Sequence, residues 1–251
     1  AGECYSMSLK AFDLAERFQT PVFVLSDLDL GMNSWMSEPF EYPTEPLDRG
    51  KLLDAETLER LGEWGRYKDV DGDGIAYRSL PGDGMPAYFC RGSGHDSEAH
   101  YSERPEDYEE NLKRLTTKFD TARDAVPGPV IEREGEGLVG VLAYGSSHWA
   151  VLESCDQLNQ EAGLALTYCR LRAFPFNGDL TTFIDRCERV YVVEQNRDAQ
   201  MLSLMRMELT AERIAKLRSV LYFGGLPIDA RSITDEILAR EGHELAPPNS
   251  A

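Results

Sequence analysis

A doubly wound α/β fold with a mostly parallel sheet is predicted for residues 137–246, and three observations carry that reading. Short β-branched runs alternate there with helix-length amphipathic stretches, the pattern of strands joined by right-handed crossovers. The same pairing begins near the amino end, where an amphipathic stretch runs directly into the apolar segment VFVL. The composition, 42% hydrophobic and 10% aromatic, is that of an ordinary soluble globular chain.

In chain order, residues 3–18 place Met7, Phe12, Leu14, Ala15 and Phe18 in a helical pattern that Gln19, Thr20 and Pro21 end. Val22–Leu25 is a continuous β-branched and aromatic run, which suits a strand buried on both faces. A helix feeding such a strand is half of an α/β unit, so its preceding element is expected upstream of Ala1 or on another segment. Residues 36–135 are rich in Pro, Gly, Asp and Glu. They read as a connector, with helices near 54–63 and 105–125 and turn-rich loops in DVDGDGIAYRSLPGDG and RGSGHDSEAHYSE. From residue 137 the expected order is strand 138–144, helix 147–161, strand 165–171, helix 179–187, strand 189–193, helix 197–207, strand 220–223 and helix 230–239. The tail 247–251, after Pro247, is expected to be loose.

The balance of 26 Lys plus Arg against 44 Asp plus Glu, −18 overall, disfavours phosphate backbones and anionic lipid, so neither nucleic acid nor membrane is an expected partner. No apolar run approaches the roughly 20 residues that span a bilayer, and no basic segment followed by an apolar one opens the chain; the cytoplasm is the expected compartment. Cys4, Cys90, Cys155, Cys169 and Cys187 are far apart, with no CxxC pair. That pattern fits reduced thiols and denies the chain a local iron-sulfur or zinc ligand set.

Candidate sites each have a functional and a plain structural reading. Asp69, Asp71 and Asp73, followed by Gly74, match the first half of a calcium loop, but Leu80 stands where the bidentate Glu belongs; an Asx turn without metal is the better reading. Tyr144–Ser147 form a strand-to-helix turn whose N–H groups suit an anion, with Ser146 or Ser147 as a helix N-cap the simpler role. Arg91, Gly92, Gly94, His95 and Asp96 supply the ingredients of a carboxylate- or phosphate-recognition loop, or of a surface loop paired within itself. Glu194, Gln195 and Asn196 end a strand at the edge where open α/β sheets place ligands, a position equally suited to capping. The four histidines, His148 and His243 among them, assemble no nucleophile, base and orienter.

Several stretches, in order, resemble alpha subunits of 2-oxoacid:ferredoxin oxidoreductases, most like the 2-oxoglutarate enzymes: AFDLAERFQTPVFVLSDLDLGMNSWM, DVDGDGIAYRSLPG, YFCRGSGHDSEAHYSERPEDYEENLKRLTTKF, LRAFPF and VYVVEQN. The resemblance implies that residues 1–36 are the remnant of a thiamine-diphosphate (pyrimidine-type) domain, 37–136 a connector, and 137–246 a transketolase C-terminal-like domain. It implies a heteromeric enzyme that oxidatively decarboxylates a 2-oxoacid, passes electrons to ferredoxin and forms an acyl-coenzyme A. Thiamine diphosphate, Mg2+ and iron-sulfur clusters are expected in the complex, mainly on the beta subunit, and none on this chain alone. The expected partners are that beta subunit, an upstream gamma-like and pyrimidine-domain segment, coenzyme A, and ferredoxin, which like-charge repulsion steers to the beta subunit. The family's YPxTPSS and QRxGPSTGxPT motifs are expected upstream, so no catalytic residue carries over and the chain is not expected to be active alone. Asp27, Asp29, Gly31, Met32 and Asn33, just past the predicted strand, are the crevice candidates, with Arg91 and His95; a capped turn is the alternative for the first group. A noncatalytic assembly or regulatory module derived from the same family is the competing function.

Overall fold

The computed structural model describes residues 1–243 and divides them into two compact units: 1–25 with 35–126, and 26–34 with 127 onward. The expected loose tail lies outside the described residues.

In the second unit, five strands form one sheet in the order β1-β3-β2-β4-β5: β1 (Val130–Arg133), β2 (Val139–Tyr144), β3 (Thr167–Leu171), β4 (Arg189–Glu194) and β5 (Leu217–Leu221). All neighbours are parallel except β1, which runs antiparallel to β3 at the edge. The predicted doubly wound, mostly parallel sheet is therefore present. Its central strands are apolar on both faces, and their alternation sorts the side chains. Val139, Val141, Ala143, Tyr191 and Val193 enter one core with α5 (His148–Ala162) and α9 (Ala230–Glu241). Leu142, Val190 and Val192 enter the other with α6 (Gly178–Arg186) and α7 (Gln200–Glu208). Gly140 lets α6 approach, since a Cβ there would meet Phe183 and Cys187 at under 3 Å.

Two edges differ from expectation. β1 falls inside the predicted connector because VIER lacks an apolar run; it is held by its ladder and by the Arg170 to Glu132 ion pair at 2.6 Å. β5 begins at Leu217 rather than Val220, since an edge strand tolerates the charge of Arg218. The short helices α2 (Leu28–Met32) and α8 (Ala211–Ile214) carry too little periodicity to be read in advance.

The first unit holds α1 (Gly2–Phe18), α3 (Ala55–Leu61) and α4 (Pro105–Arg123), around a small core of Leu14, Phe18, Ile75 and Ala122. The helices expected at 3–18, near 54–63 and near 105–125 are all present. The strand expected at Val22–Leu25 is not formed: the segment is extended coil, with Phe23 84% and Leu25 88% exposed. A buried strand requires neighbours for its N–H and C=O groups, and among the described residues the first unit contains only isolated bridges. An apolar run states the preference but not the presence of a partner.

Candidate functional site

The sheet's order reverses at β2. The chain goes from β2 outward to β3, then returns across β2 to β4, so the carboxyl ends of β2 and β4 flank the point where open α/β sheets form a crevice. A 3-10 turn, Gly145–Ser147, leads from β2 into α5. Its free N–H groups face an anion, and that anion is the chain's own: the exposed Asp27 carboxylate accepts from the backbone N–H of Ser146 at 3.3 Å and from its hydroxyl. The same carboxylate caps α2 by accepting from Leu30 N–H at 2.9 Å. Burial alone acts to raise the Asp27 pKa, but these hydrogen bonds outweigh it and hold the carboxyl below its ordinary value.

Gln195 completes the arrangement. Its amide donates to Ser146 Oγ at 3.2 Å and Ser147 Oγ at 3.0 Å, and its carbonyl accepts from Ile228 N–H at 3.0 Å. The two serines therefore serve Gln195 and Asp27; neither makes a side-chain cap on α5. Glu194, fully buried, accepts from Met201 and Leu202 N–H at 2.7 and 3.1 Å and from Asn196 Nδ2 at 2.9 Å. It is the capping anion of α7, whose own N-cap, Ala199, lacks a side-chain acceptor. Desolvation, then the Glu194 charge, push the Tyr144 hydroxyl up to about 12, so it acts as a donor at neutral pH.

The other named residues of this segment shape α2. Asn33 donates to the Asp29 carboxylate, Gly31 has open space where a side chain would stand, and Met32 is 76% exposed.

In the first unit, Arg91 and His95 lie on one loop but do different work. Arg91 Nε donates to Ala99 O at 3.3 Å and its guanidinium sits over Phe89 and Tyr101. His95 stacks on Tyr67 at 3.9 Å, with its carbonyl accepting from Asn111 at 2.6 Å. His95 lines a cleft of about 550 Å3 together with Gly92, Arg104 and Arg114; Arg91 does not. Asp69 accepts from Gly72 and Gly74 N–H, an Asx-type turn, while the Lys51 ammonium bridges Asp71 and Asp73, each at 2.7 Å. Sequence reasoning missed Arg114, which lines that cleft, and Arg66 and Lys118, which gather beside it; the four-residue spacing of Arg114 and Lys118 on a helix was the available signal.

For the metal ion and iron-sulfur clusters that the resemblance implies, the described residues offer no ligand set. Among the described residues no group of three or more His, Cys, Asp and Glu is placed to hold a metal. Cys155, Cys169 and Cys187 are buried apart from any such group, and burial raises the thiols of the first two to about 12. No helix of the described residues is long and apolar enough to cross a membrane.

Fold and crevice thus define a doubly wound α/β subunit whose switch point is closed by an internal carboxylate. No protein-family model matches the chain. Over 211 residues, 81% of the chain, it is 31% identical to the alpha subunit of 2-oxoacid:ferredoxin oxidoreductase 2 from Aeropyrum pernix, covering 32% of that protein. It is 27% identical over 225 residues to the 2-oxoglutarate synthase subunit KorA of Archaeoglobus fulgidus, covering 89% of this chain and 54% of that one. A solved 2-oxoglutarate:ferredoxin oxidoreductase from Magnetococcus marinus, with 2-oxoglutarate, coenzyme A and succinyl-CoA bound, superposes with a TM-score of 0.79 at 25% identity, over 95% of this chain and 40% of that one. The chain is therefore similar, through most of its length, to alpha subunits of 2-oxoacid:ferredoxin oxidoreductases, and it spans about a third to a half of the length of these relatives.

Proposed function

We propose that this chain serves as part of the alpha-type component of a 2-oxoacid:ferredoxin oxidoreductase, with 2-oxoglutarate as the preferred acid. The observation that carries the reading is the similarity just described, which runs through both units and includes a relative holding 2-oxoglutarate and coenzyme A. In this reading residues 1–36 belong to a pyrimidine-type domain completed by an upstream segment, 37–136 connect, and 137–246 support assembly. Thiamine diphosphate, Mg2+ and the iron-sulfur clusters sit chiefly on a beta-type partner.

The exposed run through Phe23, Leu25, Met36 and Tyr42 supports an assembly role, because exposed apolar segments of this kind mark contacts with other protein. The acidic balance of −18 supports ferredoxin docking on the partner rather than here. Asp27, Asp29, Gly31, Met32 and Asn33 border the substrate crevice in this reading, while Arg91 and His95 are separate candidates within the first unit.

The test is a purification of the native complex through this chain, with intact masses of its members and an assay of viologen reduction. Reduction that requires both 2-oxoglutarate and coenzyme A, in a complex containing a beta-type chain, is the expected result. A complex complete in its subunits that reduces viologen with no 2-oxoacid would overturn the reading and favour a noncatalytic module.

A further inference from the structure

The first unit contains three cations that its own acids leave unmatched. Lys118 is only 6% exposed, yet among the described residues no carboxylate reaches ion-pair distance of its ammonium, which lies over the Phe119 ring at 5.4 Å. The Nε groups of Arg66 and Arg114 are buried and without an acceptor among the described residues. Among the described residues, the Arg114 guanidinium donates one hydrogen bond, to the Gly74 carbonyl at 3.2 Å. Asp69 acts on Arg114 only through its charge, and its own oxygens are engaged by Gly72 and Gly74 N–H. Among the described residues, no carboxylate of this strongly acidic chain forms an ion pair with the cluster.

The packing holds the cations in place. The Arg66 guanidinium lies 5.0 and 4.9 Å from the Tyr67 and Tyr88 rings, and that of Arg114 lies 5.7 Å from Tyr67. Contact with an aromatic ring fixes a guanidinium plane and leaves its N–H edge for a planar or tetrahedral oxyanion. Gly74, at φ +78, packs against the backbone of α4, where a Cβ would meet Lys118 N at 2.3 Å; the loop cannot withdraw from the cluster without losing that contact. A buried cation beside like charges and without a counterion is unfavourable, and an anion would offset that cost.

Arg114 also lines the adjoining cleft of about 550 Å3, with Gly92, His95, Arg104 and Asn111. The one carboxylate on its wall, Glu103, is engaged by the Tyr101 hydroxyl.

The geometry points to an oxyanion-binding site in this unit, with Arg114 meeting the ligand from the cleft wall and Arg66 and Lys118 supplying the field behind it. The ligand carries a phosphate or carboxylate group. The site rests on the unpaired cations alone, so its failure would leave the oxidoreductase reading standing, and the converse also holds.

The test is thermal unfolding of the full chain in inorganic phosphate, in succinate, and in chloride at matched ionic strength. A saturable rise of about 3–6 °C is expected with phosphate or with succinate, and which of the two acts identifies the source of the oxyanion. Arg114→Lys should keep part of the response, while Arg114→Gln and Lys118→Met should lose it. Lys118→Met should melt no lower than the parent in chloride, because it removes an unpaired buried charge. No rise beyond chloride in the parent chain, or an unchanged rise in folded Arg114→Gln and Lys118→Met, would overturn the site.

Discussion

The two units treat buried charge in opposite ways. At the sheet's crevice every functional-looking group is already engaged: Glu194 with two N–H groups and Asn196, Gln195 with two serines, and the Gly145–Ser147 turn with Asp27. Beside α4, the buried Lys118 ammonium and the half-buried Arg66 and Arg114 guanidiniums gather, and among the described residues no carboxylate is paired with them. A strand end in an open sheet therefore identifies where a ligand would fit, while the state of the hydrogen bonds identifies whether the chain has reserved the place for itself.

The largest effect that would sharpen this contrast is at Glu194. Glu194→Ala leaves Met201 and Leu202 N–H and Asn196 buried without an acceptor, and should destabilise by about 3–4 kcal/mol, measured as a lower urea midpoint. Glu194→Gln, which restores one acceptor, should cost about half as much. An Ala variant as stable as the parent would mean that the crevice is not the closed network described.

The next effect belongs to the other region and has the opposite sense. In the unfolded chain Lys118 holds its proton to about pH 10.4; in the folded chain burial, then Arg114 and Arg66, bring it down to about 8. Between those values the unfolded state binds more protons, so stability rises with pH there and is lost again as pH falls toward 8. Relative to Lys118→Met, the parent should gain roughly 1–3 kcal/mol across that window; a constant difference between the two would show Lys118 to be solvated or paired.

Asp27→Ala should cost about 1 kcal/mol as a lost cap, read most directly as faster hydrogen exchange at Leu30 and Ser146. Smallest is its acid dependence. Because the folded Asp27 pKa is lowered, its contribution is present above the unfolded value of about 3.9 and disappears as pH falls through the folded one. The gap between the parent and Asp27→Asn should stay flat from pH 5 to 8 and close only below about pH 4.

How much was legible in advance follows the same division. The central strands were readable because Val139–Ala143 and Val190–Val193 are apolar on both faces, and the long helices of the sheet domain because they bury an apolar stripe. β1 was not, since its stability lies in a cross-strand Arg170 to Glu132 pair that no local pattern shows. Val22–Leu25 misled because strand preference says nothing about pairing. Asp27 was singled out as lying past a strand that is not there, yet it meets the carboxyl end of β2 through Ser146. Of the Arg66, Arg114 and Lys118 cluster only the Arg114 and Lys118 spacing on one helix was legible, because residues 66 and 114 meet only through folding.

Amide exchange with and without phosphate tests the contrast most directly, followed residue by residue in the full chain. The expected result is added protection within 91–96 and 114–118, with Leu30 and Ser146 already protected and unchanged. Added protection at Leu30 and Ser146, with none along α4, would contradict the account by showing that the crevice is open to anions and the cationic cluster is not.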